Sequence, residues 1–146
     1  MSAVSTGKRE LLNLSITAAV AATATAAVDI GHNVDTILLQ CNFTYVASAA
    51  TSAKAYVQTS FDGGTTWCDI ACFAHTTTSL NRVFNLSSKT AVTTIFTLTD
   101  GTLTDSTAKD GLIGNLIRVK YVTVGTYGAG TTMKVYMVAK NNNTKG

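Results

Sequence analysis

Two histidines, three cysteines and eight carboxylates are the side chains of this chain best equipped for chemistry. A zinc site calls for close ligand pairs such as Cys-x-x-Cys, whereas Cys68 and Cys72 have three residues between them and His32 and His75 each stand alone in expected turns. Both histidines therefore read as surface turn residues. Asp100, Asp105 and Asp110 recur at five-residue intervals, but a calcium loop packs its oxygen ligands more densely, so they read as solvated turn residues. Nucleophilic catalysis would be signalled by a Gly-x-Ser-x-Gly elbow, which does not occur. Paired carboxylates for glycoside hydrolysis are spatial rather than sequential, and the single glutamate, Glu10, sits next to a terminus. Gly125, Gly128 and Gly130 could suggest a phosphate cradle, but a β-type run follows them instead of a helix start, and a hairpin loop fits better. The close basic pairs are Lys8 with Arg9 and Arg118 with Lys120. The second pair shares one strand face with Tyr121 opposite, which reads as a solvated edge rather than a base-stacking platform. The expectation is a chain that is not an enzyme, with no cofactor, no metal and no nucleic-acid partner.

The most definite local instruction is the stretch Ser60, Phe61, Asp62, Gly63, Gly64, Thr65, Thr66, Trp67. β-type runs over residues 53–59 and 67–74 flank it. Asp-Gly-Gly is suited to a tight hairpin, because glycine tolerates positive φ and Asp bonds backbone N–H groups ahead of it. The stretch also resembles the Asp-box, Ser-x-Asp-x-Gly-x-x-Trp, which implies a turn held by the Asp62 carboxylate and anchored by a buried Trp67. Sialidases carry that box in several copies and this chain has one, so Ser60, Asp62, Gly63, Gly64 and Trp67 read as a structural turn.

At 146 residues the chain is long enough for one domain with a real core. Hydrophobic residues make up 46% and charged residues 13%, which excludes a charge-rich disordered chain. Abundant threonine, a single glutamate and no proline favour strands over helices. A net charge of +3 is too small to single out nucleic acid. Cys41, Cys68 and Cys72 read as reduced core thiols, and a Cys68–Cys72 bridge along one strand would have to span roughly 13 Å. Near the amino terminus, Lys8 and Arg9 precede an apolar stretch in the manner of a signal peptide. Asn13, Ser15 and Thr17 interrupt it, and no run reaches the roughly 20 apolar residues of a membrane helix. The chain reads as cytosolic in origin with no membrane partner.

Alternation then sets out the elements. Residues 1–10 read as an extended arm, 11–140 as a β-sandwich domain and 141–146 as a polar tail. Leu12, Leu14, Ile16 and every second residue to Ile30 share one parity, predicting one or two strands with a bend; a short helix over the alanine run 18–27 is the alternative. Ile37, Leu39, Cys41, Phe43 and Tyr45 predict a core strand within 34–46, and residues 47–52 a loop. After the hairpin, the side bearing Cys68, Ile70, Cys72 and Ala74 is favoured as core over the side bearing Trp67, Asp69, Ala71 and Phe73. Leu80, Arg82, Phe84 and Leu86 predict a strand, as do Val92, Thr94, Phe96 and Leu98. Residues 99–114 read as a long loop of the length that tends to be functional. Strands over 116–124 and 131–140 complete the pattern: all-β, an antiparallel β-sandwich, jelly-roll-like, with about eight or nine strands and an extended N-terminal arm. A closed barrel is the alternative.

Three stretches together, residues 56–67, 110–120 and 126–132, resemble a family of small β-rich virion proteins of tailed bacteriophages, of the capsid cement or decoration type. The resemblance spans roughly residues 12–140. It implies a structural, non-enzymatic protein of the virion, made in the host cytoplasm, that binds and stabilises the major capsid protein lattice and forms a homo-oligomer, a dimer or trimer. Lys8, Arg9, Leu12 and Leu14 near the arm, and Asp100, Asp105 and Asp110 in the long loop, are the candidate capsid or subunit contacts. A neck, tail or fibre-base component is the alternative, and a carbohydrate-binding module a more distant one.

Overall fold

The computed structural model describes residues 8–46 and 52–140. Nine strands and no helix occur among them: β1 (Arg9–Ser15), β2 (Val20–Ala24), β3 (Val28–Asp29), β4 (Thr36–Thr44), β5 (Ser52–Ser60), β6 (Cys68–His75), β7 (Leu80–Ser87), β8 (Leu116–Val124) and β9 (Thr132–Lys140). They form a four-stranded sheet ordered β1-β9-β4-β7 and a five-stranded sheet ordered β2-β8-β5-β6, with β3 also paired to β8. Every pairing is antiparallel. This is a β-sandwich with jelly-roll strand order, in which the chain passes repeatedly from one sheet to the other.

Alternation in β4 and β9 explains the core. Ile37, Leu39, Cys41 and Phe43 point inward with Met133, Val135 and Met137 beside them, and all are buried. The facing sheet contributes Ala53, Ala55, Val57, Ala71, Phe73, Ile117 and Val119. Small alanines on β5 and β6 leave room for the rings of Phe43 and Phe73, which keeps the two sheets in contact.

Several expectations need correction. The long parity run from Leu12 to Ile30 is three strands rather than one or two: β1 belongs to the first sheet, β2 and β3 to the second. A register shift between Glu10 and Leu12 buries both Leu11 and Leu12, and Ile16 is buried where the chain crosses between sheets. The alanine run is strand and irregular chain, not helix. Arg9 and Glu10 lie inside β1, so the extended arm does not reach residue 10; residues 1–7, the tail 141–146 and most of the 47–52 loop fall outside the described residues, and Ser52 opens β5. Residues 92–98 form no strand. The glycine-containing connection 125–130 is no hairpin, since β8 and β9 sit in different sheets. It carries buried Tyr127, whose hydroxyl donates to the Thr76 carbonyl at 2.8 Å.

In β6 a register shift opposite Val57 and Gln58 inserts Ile70 as an extra residue. Ala71 and Phe73 therefore face the inter-sheet core and Cys72 lies on the outer face beneath Leu103 and Tyr56, against the favoured assignment, although Ile70 is in the core as that assignment has it. All three cysteines are buried and free. Among the described residues, β5–β6 is the one pair of strands that is consecutive in sequence and adjacent in a sheet. Its turn is the strongest local signal because every other strand pairing described joins residues far apart in the sequence.

Candidate functional site

The β5–β6 turn has the geometry its residue types demand. Gly63 and Gly64 adopt φ of +76° and +98°. The Ser60 hydroxyl donates to Asp62 Oδ1 at 2.9 Å and accepts the Gly64 N–H at 2.9 Å. Asp62 Oδ1 accepts the N–H groups of Thr66 and Thr65 at 2.8 and 3.1 Å, and the Thr66 bond above all lowers its pKa. Trp67 is half-buried rather than buried. Its Nε1–H donates to the Gly64 carbonyl at 3.0 Å, and the Arg118 guanidinium lies 4.2 Å over its ring, so the indole serves as a clasp.

From that clasp a polar network runs across the outer face of the five-stranded sheet. Arg118 Nε donates to Gln58 Oε1 at 2.7 Å, and Gln58 Nε2 donates to Asp69 Oδ1 and Asp100 Oδ1 at 2.8 and 2.7 Å. Asp69 is fully buried. Its carboxylate accepts the N–H groups of Gly101 (2.8 Å), Thr102 (3.0 Å) and Leu103 (3.1 Å) and the Thr99 hydroxyl (2.9 Å). Those donors replace lost hydration and make a buried carboxylate tolerable. Arg118 and Lys120, expected on a solvated edge, lie on the central strand β8; Lys120 Nζ reaches Asp100 Oδ1 at 3.0 Å. Burial pushes the Asp100 carboxyl up, but hydrogen bonds from Gln58 and Lys120 and the charges of Lys120 and Arg118 outweigh it and leave its pKa lowered.

The three loop aspartates are not merely solvated. Asp100 belongs to this network, Asp105 pairs with Lys54 at 2.8 Å, and Asp110 accepts the Ser87 N–H at 2.7 Å and the Thr90 hydroxyl at 2.8 Å. Backbone bonds add to this: Asp69 N–H to the Thr99 carbonyl, Cys72 N–H to Thr107 and Lys109 N–H to Ile70, all at 2.8–2.9 Å. The excursion 88–115 is thus laid along the edge of β6 and pinned to the sheet. No local pattern marks Asp69 as its anchor, because its five donors come from residues 11 to 34 positions away.

His75 corrects another expectation: it is 2% exposed. Its ring stacks on Phe43 with centroids 4.6 Å apart, Nε2 lies 3.4 Å from Cys41 Sγ, and Nδ1 has no hydrogen-bond partner. Burial, with a smaller contribution from Arg82, lowers its pKa to about 4, and burial raises that of Cys41 to about 12. Thiol and imidazole therefore stay neutral near pH 7, which is the wrong state for a thiolate nucleophile. Beside His75 an open cleft of about 470 Å³ is lined by Lys54, Arg82, Asp105 and Ser106 among others.

The outer face of the four-stranded sheet differs. A shallow groove of about 310 Å³ is lined there by Leu38, Gln40, Asn42, Val83, Tyr136 and Val138, and Lys8 Nζ lies 4.4 Å over the Tyr136 ring. Val83 is 58% exposed. Of the residues expected at the amino-terminal contact, Lys8 borders this groove and Arg9 opens β1, whereas Leu12 is buried and Leu14 packs against the core, leaving these two little surface for a partner. Among the described residues no three His, Cys, Asp or Glu side chains group as a metal site would require, and no helix is long and apolar enough to cross a membrane.

The class defined by this architecture is an antiparallel jelly-roll sandwich with one pinned and one open outer face. Comparison with protein-family models, curated proteins and solved structures finds no match for the chain.

Proposed function

We propose that the chain is a structural virion protein of a tailed bacteriophage, a decoration protein that binds the major capsid protein lattice and braces it. The observation that carries this is the open face of the four-stranded sheet. There Leu38, Val83, Tyr136 and Val138 are flanked by the amides Gln40, Asn42, Asn81 and Asn85, and no other described element lies over them. Apolar and amide side chains on a rigid sheet suit a broad, dry protein contact whose polar rim bonds to backbone. The resemblance of residues 56–67, 110–120 and 126–132 to phage virion proteins supports the same role, and jelly rolls are a recurrent fold of viral capsids. The carbohydrate alternative is weakened, since Trp67 is clasped by Arg118 and Gly64 and does not stand as a sugar platform.

The test is co-sedimentation of purified protein with emptied, expanded capsids and with tail assemblies. Binding to capsids that is lost in Val83→Glu supports the proposal. Binding to tail assemblies alone replaces it with a neck or tail role, and binding to neither removes both.

A further inference from the structure

Residues 91–98, Ala-Val-Thr-Thr-Ile-Phe-Thr-Leu, have the composition of a strand without being one. Val92 is 46% exposed, Ile95 96% and Leu98 41%. No backbone N–H or C=O of these eight residues is hydrogen-bonded within the described chain. Both ends are nonetheless fixed. The Thr90 hydroxyl donates to Asp110 Oδ2 at 2.8 Å, and Thr99 is held through its carbonyl and hydroxyl by Asp69 at 2.8 and 2.9 Å. A strand-forming segment with unpaired backbone, held at both ends and bent at Thr94, is an edge that a second strand would straighten and pair.

We infer that residues 91–98 pair antiparallel with the same residues of a second copy of this chain, about a two-fold axis at Ile95. That register sets Val92 opposite Leu98, Thr93 opposite Thr97 and Ile95 opposite itself. Val92, Thr94, Phe96 and Leu98 of each copy then share one face of the ribbon, and Thr93, Ile95 and Thr97 share the other. The segment carries no charge, so nothing within it opposes self-pairing. Its flanks favour the antiparallel sense. Lys89, 64% exposed, precedes it and Asp100, 52% exposed, follows it, so the two-fold brings Lys89 of one copy towards the partner's Asp100, whereas a parallel pair would align like charges. Phe96, half-buried under the Lys109 ammonium at 4.6 Å from its ring centre, ties the ribbon to the body of each subunit. The pairing uses a surface distinct from the open sheet face, so it stands or falls independently of capsid binding.

Sedimentation equilibrium of the full chain at micromolar concentrations tests it. The expected result is a dimer, with self-association at least about tenfold weaker in Ile95→Lys. Because Ile95 is almost fully exposed, that variant keeps its fold, which its thermal melt at low concentration checks. A register-specific readout follows: under a mild oxidant Ile95→Cys cross-links to a second copy, since the axis holds residue 95 opposite itself, while Val92→Cys alone does not. A monomer at all concentrations, a dimer unchanged by Ile95→Lys, or equal cross-linking through Val92→Cys overturns the inference.

Discussion

The two outer faces of this sandwich are opposites. On the five-stranded sheet, Lys54, Gln58, Asp69, Arg118 and Lys120 point outward, and an excursion of the chain covers them and satisfies them hydrogen bond by hydrogen bond. On the four-stranded sheet, Leu38, Val83, Tyr136 and Val138 point outward and nothing described covers them beyond Lys8. The polar face, which looks like surface in sequence, is largely covered: Gln58 and Asp69 are fully buried and Lys54, Arg118 and Lys120 half-buried. The apolar face, which looks like core, is surface. Charge and amide groups can be buried when a loop brings enough donors and acceptors, whereas apolar groups left uncovered gain only from a partner.

Breaking the covered face has the largest expected effect. Asp69→Ala leaves the N–H groups of Gly101, Thr102 and Leu103 and the Gln58 amide without their acceptor, at a cost on the order of 3–5 kcal/mol in chemical denaturation. It should also expose the excursion to limited proteolysis; an unchanged midpoint would show that the network adds little.

Acid separates the core from both faces. The folded pKa of His75, about 4, lies below its ordinary value of 6.5, so the unfolded chain binds the extra proton between these values. Stability is complete above about pH 6.5 and falls by on the order of 3 kcal/mol as pH drops to 4. The lowered carboxylates Asp62, Asp100 and Asp110 add their losses at lower pH still. Urea midpoints across this range for the native chain and His75→Phe provide the check, with a flatter profile expected in the variant.

Smaller effects sharpen the same contrast. A Cβ on Gly114 would stand 2.2 Å from the Ser60 carbonyl oxygen, so Gly114→Ala should cost about 1–3 kcal/mol by forcing the excursion away from the hairpin. Trp67→Ala removes a half-buried ring and the Arg118 stack, and a loss of about 1–2 kcal/mol with no change in sugar affinity is expected. Val83→Glu on the open face should change stability by less than about 0.5 kcal/mol while abolishing the proposed capsid binding.

Much of the fold was legible because it is local. Period-two alternation marks β4, β7, β8 and β9 within a residue or two, and Asp62-Gly63-Gly64 marks the β5–β6 hairpin, since strand faces and positive-φ turns are properties of a few neighbouring residues. The same logic failed where a long-range partner decides. Residues 92–98 alternate like a strand but find no edge among the described residues, and a single extra residue in β6 moves Phe73 into the core and Cys72 out of it. The candidate site was less legible still. Asp100, Asp105 and Asp110 were visible as a group, but not what they hold, and Asp69, Gln58 and His75 gave no signal.

By itself, then, the sequence determined the class of structure, the hairpin and most strand faces, all consequences of backbone geometry and near-neighbour side chains. Only the tertiary structure decided which sheet each strand joins, that Asp69 is buried and satisfied while Val83 is exposed, and that residues 91–98 find no strand partner among the described residues. Those outcomes depend on contacts between residues far apart in the chain, and burial is a property of the assembled surface, not of the residue that meets it.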